Sequence, residues 1–297
     1  MVSDSKRTGP MTADRPDYYS WKWFLRRYWV LPAFRLRATV VRVDLGPMRV
    51  YCVGCDRQQQ QQIAEIDPGL LNNVAETLGC LLEVRRSPGR IRVLCLGRAL
   101  DYDNLPCGLS PVIRDVTGAF WWPRMDAVIV DLKVVATCEA RLRICLVHEL
   151  SHALLTRLTY PYFFPRVFQE GIAEAVERQF AHTTEYHSDK PWKSLAWVGG
   201  LGGGPGGAHG TVHELLLADY EIARDGTFHR QSFVFLAFLA AASRVRGDVL
   251  DHLLADIWRR RASREQIYAW LQSRLRWSAA ELEDAFAAFC ATGQVTE

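Results

Sequence analysis

Residues 148–152, which read His-Glu-Leu-Ser-His, constrain the fold of this chain more than any other segment. Residues four apart lie only about 40° apart around a helix axis, so His148 and His152 project from one helix face. Most of the side chains between residues 144 and 155 are apolar, which predicts that this helix is buried. A buried helix that carries two imidazoles and a carboxylate must satisfy these groups, and a metal ion does so.

The spacing of these polar residues suits zinc. Two imidazole nitrogens at this spacing can bind one zinc ion, and Glu149, about 100° further round the helix from His148, can lie beside the ion without binding it. A general base for a zinc-bound water is expected at that position. The pattern also arises by chance, in about one of a hundred chains of this length and composition. In that case the two residues would be core histidines that are hydrogen-bonded and bind no metal.

A second segment adds two carboxylates. After a loop with two prolines at residues 160–165, residues 169–174 read Gln-Glu-Gly-Ile-Ala-Glu and begin the next predicted helix. Glu170 would supply a third metal ligand, which leaves a fourth position for water. Glu174 follows four residues later on the same helix face. It would either accept the free ring N–H of a liganding histidine or remain a solvated surface charge.

The sequence HELSH, followed after 17 residues by EGxAE, resembles the gluzincins, and among them the aminopeptidase-N-like or peptidase MA-like domains. This resemblance implies a zinc metallopeptidase in which His148, His152 and Glu170 bind one zinc ion and Glu149 is the general base. The most similar members have one more residue in the spacer. The implied fold is α+β, with a zincin-type catalytic domain of mixed sheet and active-site helix, followed by an all-helical C-terminal part.

A segment further along the chain is a candidate for the residue that stabilises the oxyanion of the tetrahedral intermediate. Residues 229–233 (HRQSF) resemble a family segment that usually begins with a tyrosine, which donates a hydrogen bond to the oxyanion. This sequence has His229 at that position, and Tyr220 is the rival candidate. Residues 118–126 (GAFWWPRMD) do not match the GxMEN run with which aminopeptidases grip a substrate N-terminus. Aminopeptidase specificity is therefore not implied.

Residue patterns predict the secondary structure around these motifs. Strands are predicted at residues 37–43, 48–53, 90–96 and 127–132. The resemblance implies that the last of these strands is the sheet edge that pairs with an extended substrate. Gly46 and Pro47 form the predicted turn between the first two strands, and Ser263 and Ser278 suit helix N-caps. Helical periodicity predicts helices at residues 63–82, 134–158, 167–180, 233–245, 249–261, 265–275 and 279–289. For the first of these helices the alternative is a later start, after Pro68 and Gly69.

The chain divides into three predicted parts. Residues 1–37 form an N-terminal tail with a basic aromatic segment, residues 38–158 a mixed α/β zincin subdomain with the HELSH helix, and residues 159–297 a helical subdomain that carries the third zinc ligand. The segment 18–37 alternates aromatic and basic residues without an acid. It is either a membrane-surface or partner-docking segment or an aromatic element packed against the main domain. Residues 199–210 are predicted to be a flexible glycine-rich loop.

Two smaller clusters of candidate ligands have simpler interpretations. His209, His213 and Glu214 adjoin the glycine-rich loop in an order unlike that of a gluzincin helix, so a loop or lid is predicted there. Cys52 and Cys55 form a CxxC motif without the second pair that would close a zinc site. With eight cysteines in 297 residues, a disulfide scaffold is not expected.

Composition narrows the class of protein. The chain has 36 Lys and Arg against 33 Asp and Glu, so no nucleic-acid partner is expected. Neither a secretory signal nor a run of about 18 apolar residues is recognised, which predicts cytoplasmic residence. The expected partner is a peptide or protein substrate. The rival from another functional class is a non-catalytic zinc-binding scaffold, or a membrane-surface interaction protein, that retains the zincin fold.

Overall fold

A computed structural model of the chain describes residues 38–84, 87, 89–98, 100, 118–123, 126–135, 139–181, 210–218, 226–246 and 249–295. The basic aromatic segment 18–37, residues 199–209 of the glycine-rich loop, His209 and Tyr220 lie outside the described residues. Within the described part the chain is mixed α/β, with a five-stranded mixed sheet and a mostly helical C-terminal part. This confirms the predicted fold class at the level of its secondary structure.

The sheet combines parallel and antiparallel pairing. Its strands are β1 (Val40–Leu45), β2 (Met48–Val53), β3 (Ile91–Leu96), β4 (Ala119–Trp122) and β5 (Ala127–Asp131), in the spatial order β1-β2-β3-β5-β4. Strands β2, β3 and β5 are parallel, and β1 and β4 pair antiparallel with β2 and β5. The predicted turn joins β1 to β2, and Gly46 has a φ of 57°, a conformation that favours glycine.

The strand just before the HELSH helix is not the sheet edge, so that expectation was wrong. Strand β5 lies between β3 and β4, and all five of its residues are buried. A short run of apolar residues such as 127–130 is typical of a central strand, because other parts of the protein cover both faces of the sheet at such a strand. The edge of the described sheet on this side is β4, which the sequence patterns did not predict.

The described helices are α1 (Arg57–Ala64), α2 (Leu70–Leu82), α3 (Glu139–Thr159), α4 (Arg166–Ala181), α5 (Val212–Leu217), α6 (Gly226–Arg246), α7 (Val249–Arg260), α8 (Arg264–Leu275) and α9 (Ala279–Thr292). The helix predicted at residues 63–82 begins only at Leu70, so its start is delayed until after Pro68 and Gly69, and Ile63 and Ala64 belong to the separate helix α1. Ser263 and Ser278 cap α8 and α9 in capping boxes, which confirms both predicted caps. None of the described helices is long and apolar enough to cross a membrane.

His213 and Glu214 lie in helix α5, so the prediction of a loop or lid at these two residues was wrong. Thr211 accepts a hydrogen bond from the backbone N–H of Glu214 at 3.1 Å, and Glu214 accepts one from the N–H of Thr211 at 2.8 Å. This capping box gives Glu214 a structural role. The ring of His213 packs edge-on against Tyr268. A helix of six residues is too short for hydrophobic periodicity to reveal it.

Hydrophobic clusters cover both faces of the sheet. The larger cluster joins one face to helices that include α2, α3, α4 and α6, and it contains the buried Cys52 and Cys95. The smaller cluster lies on the other face, and none of the described helices contributes to it. Its buried members are Tyr51, Val53, Leu94, Leu96, Leu100, Ala127 and Ile129. Cys52 and Cys55 are free thiols, and Cys55 donates to the carbonyl of Cys95 at 3.4 Å.

Candidate metal centre

Helix α3 presents His148 and His152 from one face, as the four-residue spacing predicts. Their side chains are almost fully buried, and their Nε2 atoms lie 3.2 Å apart. The apolar residues around them, among them Val147 and Leu150, are buried in the large core cluster and hold α3 against the sheet. The two imidazoles therefore share one small polar space inside an apolar environment.

Helix α4 brings a carboxylate into that space. Helix α3 ends at Thr159, residues 160–165 form the connecting loop, and α4 begins at Arg166 and packs against α3. Glu170, whose exposed fraction is 0%, lies on the first turns of α4. Its Oε2 atom is 3.1 Å from Nε2 of His152 and 3.5 Å from Nε2 of His148. The three predicted ligands thus converge on one point.

The spacing of these three atoms fits a zinc ion. Ligand atoms that bind one zinc ion at about 2.0–2.1 Å in tetrahedral geometry lie about 3.3 Å from one another. The corresponding separations here are 3.1, 3.2 and 3.5 Å. Two imidazole nitrogens and one carboxylate oxygen also form a donor set that zinc binds in proteins. The centre is therefore able to hold a metal ion with the three ligands that the sequence predicted.

Glu149 lies beside the centre and reaches the edge strand. It is half-buried, and its Oε2 atom accepts a hydrogen bond from the backbone N–H of Trp121 at 2.5 Å. Trp121 belongs to β4, whose other side pairs with β5. Gly118 faces β5, since its carbonyl accepts a hydrogen bond from the backbone N–H of Asp131 at 2.7 Å. The backbone groups of an antiparallel strand alternate in direction, so the N–H of Trp121, three residues later, points away from β5. Glu149 therefore bridges helix α3 and the free edge of the described sheet.

His229 also reaches the centre, from helix α6. Its Nδ1 atom is 3.4 Å from Oε2 of Glu170, and its ring stacks on that of His148 with a centroid separation of 5.7 Å. His148, Glu170 and His229 each offer one ligand atom, and these atoms lie within 4.8 Å of one another. Helix α6 begins at Gly226 rather than at residue 233, so His229 is helical. This position suits either a hydrogen-bond donor to a substrate or a further metal ligand.

No model of a known protein family matches this chain. A search of curated proteins likewise finds no match.

Glu177, rather than the predicted Glu174, makes the hydrogen bond to a histidine of the centre. Its Oε2 atom lies 3.0 Å from Nδ1 of His148, the ring nitrogen that faces away from Glu170. Glu174 lies nearby and is 3.9 Å from the Nε atom of Arg178. Burial, followed by repulsion from Glu177, raises the pKa of Glu174. Glu177 lies seven residues after Glu170, a helical spacing that would have revealed it in the sequence.

If the centre holds zinc, replacing Glu177 with alanine should weaken zinc binding by about 10–100-fold, the usual cost of losing a carboxylate that orients a liganding histidine. Without this acceptor the His148 ring loses both its fixed orientation and its fixed tautomer. Competition with a chelator of known affinity measures the effect, and Glu174→Ala is the matched control on the same helix. A larger loss in the Glu174 variant would show that the assignment of the orienting carboxylate is wrong.

The charges of the centre compensate one another. Burial alone would raise the pKa of Glu170, but His152, His148 and the guanidinium of Arg166 together hold the pKa of this carboxyl well below its ordinary value. Burial alone would lower the pKa of His148, but hydrogen bonds to Glu170 and Glu177 raise it well above its ordinary value. A metal ion that bound at this centre would therefore be attracted by the carboxylate of Glu170 and would displace a proton from His148.

A glycine allows α6 to approach α4 closely enough for His229 to reach Glu170. A Cβ atom at Gly171 would lie 2.6 Å from the backbone carbonyl oxygen of Ser232 and 3.3 Å from Cβ of Leu236. Real Cβ atoms essentially never come within 3.0 Å of a heavy atom outside their local chain, and here the obstacle is backbone. Gly171 directly follows Glu170, and Ser232 lies one helical turn after His229. The glycine therefore fixes the separation of the two helices at the metal centre.

Gly171→Ala should destabilise the protein by about 2 kcal/mol net, because a clash with a backbone atom puts the cost of overpacking near the top of its usual range of about 1–3 kcal/mol. Alanine is about 1 kcal/mol better than glycine inside a helix, so the clash outweighs the gain in helix propensity. Urea unfolding measures the change. Gly210→Ala is the control, because the nearest atom to its added Cβ would lie at 3.4 Å, an ordinary van der Waals contact. Equal stability of the Gly171 variant and the parent would contradict the close approach.

Proposed function

We propose that this chain is a zinc-dependent peptidase with a zincin-type catalytic domain of the gluzincin group. The observation that carries the proposal is the convergence of Nε2 of His148, Nε2 of His152 and Oε2 of Glu170, separated by 3.1 to 3.5 Å. These residues would hold one zinc ion. When bound there, zinc would polarise a scissile carbonyl and lower the pKa of a nearby water molecule.

The residues around the ligands have distinct roles in this proposal. Glu149 takes a proton from the attacking water and passes it to the departing amine. Its carboxylate is held for this task by the N–H of Trp121 at 2.5 Å. His229 donates a hydrogen bond to the oxyanion that forms at the scissile carbonyl. The stacking of His229 on His148 places this donor next to the ligands.

The substrate is proposed to bind as an extended peptide along β4. The free edge of a sheet can accept a peptide as an added strand through its outward backbone groups. The N–H of Trp121 lies on this outward side but holds Glu149, so the peptide would pair with the other outward backbone groups of β4. The half-buried side chains of Phe120, Trp121 and Trp122 provide aromatic surface along the same strand. Because Glu149, the proposed general base, lies at this edge, a peptide bound along β4 would lie next to the metal centre.

A structural metal site is the second candidate function. It is favoured by the separation of 3.4 Å between Nδ1 of His229 and Oε2 of Glu170, which would also suit two ligands of one metal ion. Four protein ligands would close the site to water, as they do in structural zinc sites. The chain would then be a zinc-binding scaffold that keeps Glu149 without using it as a base.

Metal analysis combined with a peptide-cleavage assay tests both candidates. The purified full chain is analysed for bound metals and then incubated with a mixture of fluorescence-quenched peptides, before and after treatment with a chelator. The peptidase proposal expects one zinc ion per chain and cleavage that stops on zinc removal and returns on zinc addition. Bound zinc without cleavage of any peptide would favour the structural site. A chain that binds no zinc would contradict both candidates.

A further inference from the structure

Arg166 contacts the oxygen of Glu170 that faces away from the histidines. Its Nη2 atom lies 2.9 Å from Oε1 of Glu170, whereas Oε2 faces His148 and His152. Arg166 and Glu170 are four residues apart, so they lie on the same face of α4. Gln169 accepts a hydrogen bond from Nη1 of Arg166 at 3.2 Å and so helps to hold the guanidinium in place. The two carboxylate oxygens of Glu170 therefore have different partners.

This division matters because a carboxylate can bind a metal ion through one oxygen or through both. Binding through both oxygens would add a ligand atom and fill space that water or a substrate needs. A guanidinium beside Oε1 opposes that mode, since Oε1 would have to leave its ion pair in a site where Glu170 is fully buried. The contact is an ion pair without an aligned N–H···O bond, so charge rather than hydrogen-bond direction holds the oxygen.

We propose that Arg166 is a positioning residue that makes Glu170 bind the metal through Oε2 alone, an inference that rests on the proposed metal centre. With a metal ion bound, this contact would keep Oε1 of Glu170 away from the ion and so leave a position for water. The positive charge of Arg166 also offsets the negative charge that Glu170 brings to the metal. None of the sequence motifs around HELSH or EGxAE indicates this role, because it depends on which carboxylate oxygen meets the guanidinium.

Cobalt(II) substitution tests the inference, because the visible absorption of cobalt is much stronger in a four-coordinate tetrahedral site than in five- or six-coordinate sites. Cobalt is titrated into the metal-free parent, Arg166→Gln, Arg166→Lys and the control Arg178→Gln. Arg178 lies on the same helix, but it contacts Glu174 and the ring of Phe233. Metal affinity alone would not decide the question, since losing Arg166 removes both a repulsive charge and an orienting contact.

The parent, Arg166→Lys and Arg178→Gln are expected to bind one cobalt ion with strong tetrahedral absorption. Arg166→Gln is expected to bind one cobalt ion with severalfold weaker absorption, because Glu170 can then use both oxygens. If the glutamine variant does not fold, Arg166→Met, which keeps the aliphatic volume without the charge, is used instead and has the same expected result. Strong absorption in the uncharged variant would overturn the positioning role alone. A parent that binds no cobalt or zinc would overturn the metal centre itself, and the positioning role with it.

Discussion

Replacing Glu149 with glutamine is expected to slow peptide hydrolysis by about 10²–10⁴-fold and to leave the zinc content of the protein unchanged. Glutamine has nearly the same shape and can still accept the hydrogen bond from the Trp121 N–H. It cannot take a proton from water, however, and a positioned general base typically contributes a factor of about 10²–10⁴ to the rate. Initial rates on a peptide that the parent cleaves, together with metal analysis of both proteins, measure the two effects.

The matched control for this variant is Glu65→Gln, a change of the same chemistry at an exposed residue beyond the end of α1. It should retain both the rate and the zinc content of the parent. Full activity of Glu149→Gln would contradict the proposed role of Glu149. Loss of zinc together with activity would mean that Glu149 supports the metal rather than the proton transfer. To tell these outcomes apart, the zinc content and the rate of peptide hydrolysis are measured on the same preparation.

The convergence of His148, His152 and Glu170 could be predicted because their positions follow from local helix geometry. His148 and His152 share a face of α3 for the same reason that any residues four apart do. Glu170 follows after a short loop, and such loops join helices that pack side by side. The burial of these residues also follows from the sequence, since apolar side chains surround all three. The structure adds the distances at which their donor atoms meet.

The surroundings of the ligands could not be predicted, because they depend on packing between distant segments. Strand β4 has four residues, and only its pairing with β5 places the N–H of Trp121 beside Glu149. His229 lies at the centre because Gly171 lets α6 approach α4. Which oxygen of Glu170 contacts Arg166 depends on the side-chain rotamers of both residues in the folded protein. The spacing of residues along the sequence does not indicate these three contacts.

His152→Ala is expected to remove the zinc ion and, with it, the stabilisation that zinc gives the fold. His152 is almost fully buried, and its Nε2 atom is within 3.2 Å of the donor atoms of both other ligands. Two remaining ligands on different helices bind zinc far more weakly than three. A ligand present at a hundred times its dissociation constant stabilises the folded state by about 2.7 kcal/mol, so a chelator should lower the melting temperature of the zinc-loaded parent.

The same chelator should leave the melting temperature of His152→Ala unchanged, because this variant has no zinc to lose. The control is His252→Ala, which removes an exposed histidine that pairs with Glu83 at 2.7 Å. It should keep both its zinc and its response to the chelator. A His152 variant that still contains zinc and still responds would show that the ion binds elsewhere. A parent that ignores the chelator but contains zinc would instead indicate a slowly exchanging closed site, as expected if His229 is a fourth ligand.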